Sequence, residues 1–173
     1  AAASAEVAAA QAVFERGERV PDEGEREVER LYIEADGVYV RLQGQLQSHM
    51  EVRSAIAYEG WERLADTREA YRLCGKRVYC HANEQLPFWE GASIAWARQW
   101  DLSCVGEVII SGDGASWIRA GGEAFPGAIW HLDNFHLARA CGRAYGAQVG
   151  QELYDALRAG RASEAQEWLQ NAP

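Results

Sequence analysis

VIISGDGASW, residues 108–117, decides the fold. Its apolar run belongs to a longer stretch, VGEVIISGDG (105–114), whose unbroken centre predicts a buried strand of the parallel-sheet kind. Ser111-Gly112-Asp113-Gly114 then ends the strand, and ASWIRAGGEAF (115–125) reads as a helix of about two turns, frayed by Gly121-Gly122. AIWHLD (128–133) is the next strand, and a helix-length link between two strands suits a right-handed crossover. Asp113 stands at the hinge between glycines. An aspartate there makes a turn, caps the following helix or holds a ligand.

Upstream, LYIEADGVYVRLQG (31–44) alternates with period two. Leu31, Ile33 and Ala35 fall on one face; Tyr32, Glu34 and Asp36 fall on the other. The stretch is one strand bent at Gly37 or two strands tightly joined, with Asp36 closing LYIEA. EVRSAIAYEGW (51–61) continues an antiparallel meander, 62–73 is helical or extended, and RVYCH (77–81) is extended. PFWEGASIAWARQWD (87–101) predicts a helix led by Pro87, with Trp89, Trp96 and Trp100 at helical spacing as core anchors. Strand, strand, strand, helix, strand, helix, strand, helices predicts an α/β protein, a mixed sheet with flanking helices in the order of the ribonuclease-H-like fold.

Residues 5–16 read as a helix and 17–30 as a charged linker. Beyond Phe135 everything reads as helical, with Val149, Leu153 and Leu157 on one stripe, Gly160 as a stop, and Ser163 opening a last helix as a capping box with Gln166. Three segments are therefore expected: 1–30, a core over 31–136, and a helical segment over 137–173 whose last apolar side has no evident partner.

The 173 residues, 48% hydrophobic and 10% aromatic, suit one globular domain. A formal net charge of −9 excludes a basic nucleic-acid-binding surface over the whole chain, but not a local site where metal ions meet phosphate. No apolar run reaches the ~20 residues that span a membrane, and AAASAEVAAA lacks the features of a signal peptide. The first residue is not Met, so a trimmed chain or fragment is expected. Cys74, Cys80, Cys104 and Cys141 form no CxxC pair and read as free thiols of a reducing cytoplasm; Cys74, Cys80 and His81 lack a fourth ligand and the usual spacing for zinc.

Asp36 and Asp113 end strands, and Asp133 ends a third, where open α/β sheets bind ligands. Hard cations are held by one or two carboxylates plus substrate oxygens, and two ions about 4 Å apart drive phosphoryl transfer. Against this, Asp-Gly is a common turn signal, Asp133-Asn134 suits a helix cap, and His136 suits a partly buried helix position.

LYIEADGVYVRLQ, AYEGW, ISGDGASWI and HLDNFHLARA together resemble the bacterial insertion-sequence transposases of the ISLre type, related to the Mutator-like group, over residues 28–145. The resemblance implies a DDE transposase: a ribonuclease-H-like catalytic core that cuts and joins DNA with Mg²⁺ or Mn²⁺ in a two-ion site, acting on transposon ends and target as a homo-oligomer. It implies Asp36 as the first acid, Asp113 as the second, Asp133 and His136 as a supporting motif, and Trp117 packing beneath Asp113. The family's third acid, a glutamate, follows a helical insertion. Glu152, Glu164 and Glu167 match no motif, so the third acid is expected to be absent here, with 137–173 as the start of the insertion.

Two other readings stand beside it. A non-catalytic binding or assembly module would use the apolar side of the last helices as its interface. A glycosidase would use paired carboxylates for acid–base work, with tryptophans stacking on sugar.

Overall fold

A computed structural model describes residues 12, 24, 26–43, 49–64, 70–82 and 87–170. The expected helix over 5–16 and most of the linker over 17–30 lie outside the described residues. In chain order the elements are β1 (Arg30–Arg41), β2 (His49–Tyr58), β3 (Gly60–Arg63), β4 (Tyr71–Cys74), β5 (Arg77–His81) and α1 (Phe88–Ala97). Then come β6 (Glu107–Gly112), α2 (Ser116–Arg119), α3 (Gly121–Ala124), β7 (Ile129–Leu132), α4 (Asn134–Tyr145), α5 (Ala147–Arg158) and α6 (Ala162–Gln170).

Five strands form one mixed sheet in the order β5-β2-β1-β6-β7, and β3 pairs with β4 in a separate two-stranded sheet. β2 runs antiparallel to both β1 and β5, while β1 and β6 are parallel. The protein is thus a mixed α/β protein with helices flanking a mixed sheet. The alternation in 31–36 has the predicted consequence: Leu31, Ile33 and Ala35 are buried, and Glu34 and Asp36 are exposed. Ala55, Ala57 and Ile110 join the buried face, against which α1 sets Phe88, Trp89, Ala92 and Trp96. Trp96 and Trp100 are 1% and 0% exposed, so these tryptophans are core anchors, as their spacing predicts. Trp100 still satisfies its indole, donating from Nε1 to Glu59 Oε1 at 2.7 Å.

Of the two readings of 31–44, one continuous strand is realised: β1 runs through Gly37, whose Cα partner on β2 is Arg53, so Asp36 does not close it and ladder pairing overrides the Asp-Gly turn signal. Of the two readings of 62–73, the described parts take the extended one, as the ends of the β3–β4 pair. Two local expectations are corrected. β6 is buried mainly on one face, with Ile110 at 0% exposure and Ile109 only half-buried. Ser163 is not a cap, since it is the second residue of α6.

The chain divides into two compact units, 1–131 and 132–173. In the second, α4, α5 and α6 enclose a small core of Cys141, Leu153 and Ala165. Gly146 (φ 79°) makes the turn between α4 and α5, and Gly160 (φ 69°) follows α5, both in the left-handed region that glycine tolerates.

Gly112 ends β6 where the neighbouring backbone leaves no room for a side chain. A Cβ there would lie 2.7 Å from the Ala35 carbonyl oxygen and 2.7 Å from Ile118 Cδ1. Gly112→Ala is therefore expected to cost about 1–3 kcal/mol, read from the denaturant midpoint. An unchanged midpoint would show that β1 and α2 yield freely at this point.

Candidate metal centre

The parallel ladder between β1 and β6 pairs Tyr32 with Ile109, Ile33 with Ile110 and Glu34 with Ser111. Asp36 stands two residues further along β1, and Asp113 stands just past Gly112, the last residue of β6. Successive side chains alternate between faces, so Asp36 shares the face of Glu34, while Asp113 leads out of the neighbouring strand. Both are exposed. The fold thus brings together two acids that lie far apart in the sequence.

Each carboxylate spends one oxygen on the backbone. Asp36 Oδ1 accepts from Gly37 N at 2.8 Å. Asp113 Oδ1 accepts from Ala115 N at 2.8 Å, at the start of α2. Asp113 therefore does make the local turn contact that its Asp-Gly context predicts. Among the described residues the second oxygen of each carboxylate takes no hydrogen bond, and these oxygens are available to a ligand. Two carboxylate oxygens on short stems, exposed to solvent, fit the donor set of Mg²⁺ or Mn²⁺. Among the described residues no group of three or more His, Cys, Asp or Glu side chains is set to hold a metal ion.

The flanks are differentiated. Glu34, one step before Asp36 on the same face, accepts from the Tyr58 hydroxyl at 2.7 Å, and Tyr58 stacks on Tyr32 with centroids 5.4 Å apart. Burial, followed by that bond to Glu34, pushes the Tyr58 hydroxyl well above its ordinary value. Glu34 is thereby committed to structure. On the other side, Ser111 Oγ lies 3.3 Å from His131 Nδ1 of β7. Both residues lie within motifs quoted above, ISGDGASWI and HLDNFHLARA, but neither was singled out as a site residue.

Trp117 sits half-buried in α2, with its ring against Phe88 (centroids 5.1 Å apart) and Trp89 (6.2 Å). Its carbonyl accepts from Trp89 Nε1 at 2.5 Å, which ties the turn carrying Asp113 to α1. In the second unit, Asp133 caps α4: Oδ1 accepts from His136 N at 2.8 Å, and Oδ2 lies 2.7 Å from His136 Nδ1. Asp133 and His136 thus pair with each other, as the capping reading expects.

A family model described as Uncharacterised protein family (UPF0236) matches residues 1–152, and the chain belongs to that family. No curated protein matches the chain.

The Asp133 cap has a defined pH response. Burial pushes its carboxyl up, but the backbone N–H and ring of His136 outweigh burial and hold it below the usual carboxylate range. A lowered folded value means that the cap contributes fully above the unfolded aspartate value of about 3.9 and is lost as pH falls through the lowered one. Amide exchange at His136 is expected to accelerate as pH drops below about 4, relative to α4 amides further along. Protection of that amide unchanged down to pH 2 would show that the cap does not depend on the charge.

Proposed function

We propose that the chain is the catalytic-core segment of a DDE-type transposase of the ISLre type, performing metal-dependent DNA strand cleavage and transfer. The observation that carries the reading is the acid pair: Asp36 within β1 and Asp113 just past the end of the adjacent parallel strand β6, each with one oxygen uncommitted. The sheet order supports it as well. With the β3–β4 pair set aside, the chain runs through three strands ordered third-second-first, then two more on the far side of the first, which is the order of a ribonuclease-H-like core.

In this reading Asp36 and Asp113 hold Mg²⁺ or Mn²⁺, which when bound stabilises the attacking and leaving oxygens of the phosphodiester. The chain's own part is positional. The Gly37 and Ala115 amides fix the two carboxylates, and Gly114, at φ 84°, keeps the hinge beside Asp113 narrow enough for a nucleic-acid backbone to approach. Asp133 and His136 act as a supporting pair. Glu152, Glu164 and Glu167 are not assigned as the third acid, and Glu164 pairs instead with Arg161 at 2.9 Å. The partners are transposon ends and target DNA, the full-length protein is a homo-oligomer, and its compartment is the cytoplasm. No helix among the described residues is long and apolar enough to cross a membrane.

A second reading, a transposase-derived assembly module, is favoured by apolar side chains left exposed in the second unit, Phe135 at 67% and Leu169 at 58%. Concentration-dependent self-association without any divalent-ion binding would select it.

The test is strand transfer by the full-length transposase that this reading implies, with a labelled element end and Mg²⁺. Asp36→Asn or Asp113→Asn is expected to lower the rate on the order of 10²-fold or more. Joining at near wild-type rate by either variant would refute the assignment.

A further inference from the structure

On the covered side of the sheet lies a cavity of about 260 Å³. Phe88, Trp89 and Trp117 line it, together with Arg53, Glu90 and Glu123. Its place follows from the register. Arg53 is the cross-strand partner of Gly37, the residue after Asp36, and Trp117 belongs to the first turn of the helix that follows Asp113.

The walls are fixed in advance. Trp117 is held by the Trp89 indole on its carbonyl and by the Phe88 edge on its ring. The Arg53 guanidinium lies 5.3 Å from the Trp117 ring centroid and is anchored by Glu51, Nε to Oε2 at 2.9 Å. Ala120 and Ala124 also line the cavity, and their small side chains keep it open. Trp96 and Trp100 fill the core, whereas Trp117 is half-buried and borders open space.

A flat aromatic ligand suits these walls. Base–aromatic stacking contributes about 1–3 kcal/mol per base, and a guanidinium adds a second planar surface. Glu90 and Glu123 repel phosphate but accept hydrogen bonds from exocyclic amines, as carboxylates do from cytosine. We infer that the cavity binds one unpaired nucleobase bearing an exocyclic amine, with Trp117 as its stacking platform. The inference rests on the DNA-transfer reading above and adds to it a base subsite.

The test uses 2-aminopurine deoxyriboside, which carries an exocyclic amine and no phosphate, so that its capture is independent of metal at the acids. Titrated with the chain, its fluorescence is expected to quench saturably. Trp117→Leu and the cavity-filling Ala120→Leu, each checked for an unchanged circular dichroism spectrum, are expected to weaken binding by about tenfold. Deoxycytidine is expected to displace the probe better than thymidine. No saturable quenching by the wild-type chain, quenching unaltered in folded Ala120→Leu, or equal displacement by thymidine would overturn the proposal. Mn²⁺ titration separates the two ideas. Quenching that is lost in Ala120→Leu without Mn²⁺ binding leaves the base site standing and sinks the transposase reading. Mn²⁺ binding without quenching does the reverse.

Discussion

Parallel pairing of β1 with β6 joins segments 77 residues apart, from the Arg30–Glu107 ion pair onward, and the architecture around the acids follows from it. Two glycines bracket β6 and let the backbones close. A Cβ at Gly106 would lie 2.7 Å from the Glu29 carbonyl oxygen, and one at Gly112 would lie 2.7 Å from that of Ala35. The ion pair is half-exposed and contributes little energy of its own; it marks the register more than it holds it. The holding force is burial beneath the sheet, where Leu31, Ile33 and Ile110 meet the aromatic side of α1. Parallel strands cannot be joined by a tight turn, so α1 before β6 and α2–α3 after it are required by the topology and supply the cover at the same time.

From that register the placement of Asp36 follows, with Asp113 just past the last residue of β6. A slip of one residue in β1 would turn Asp36 toward the core, where burying a charge without a partner is costly. The register that buries Leu31 and Ile33 is therefore the register that presents Asp36 on the open face. Each aspartate also does structural work through one oxygen, so the turn reading and the ligand reading describe two halves of one side chain. Trp117 couples the second acid to α1, because its carbonyl and ring are both engaged by that helix.

Much of this was legible in the sequence where pattern and packing agree. The period-two run at 31–36, the helical tryptophans and the strand before Gly112 each state one periodicity, and the fold realises it. Asp36-Gly37 misled because a local turn signal carries about the weight of one residue, whereas the ladder with β2 continues on both sides of it. The β3–β4 pair was obscured by a charged segment with no dominant period. The contact of Ser111 with His131 joins two separate motifs, and the cavity depends on Arg53 arriving from β2, which no local reading of α1 or α2 contains.

The central claim is that Asp36 and Asp113 form one shared divalent-ion site. Electron paramagnetic resonance of Mn²⁺ titrated into the wild-type chain, Asp36→Asn, Asp113→Asn and the double variant tests it directly. The account predicts that either single substitution weakens binding strongly and that the double variant loses much less than the two single losses combined, the non-additivity of two ligands on one ion. Binding unchanged by either substitution, or losses that simply add, would contradict it.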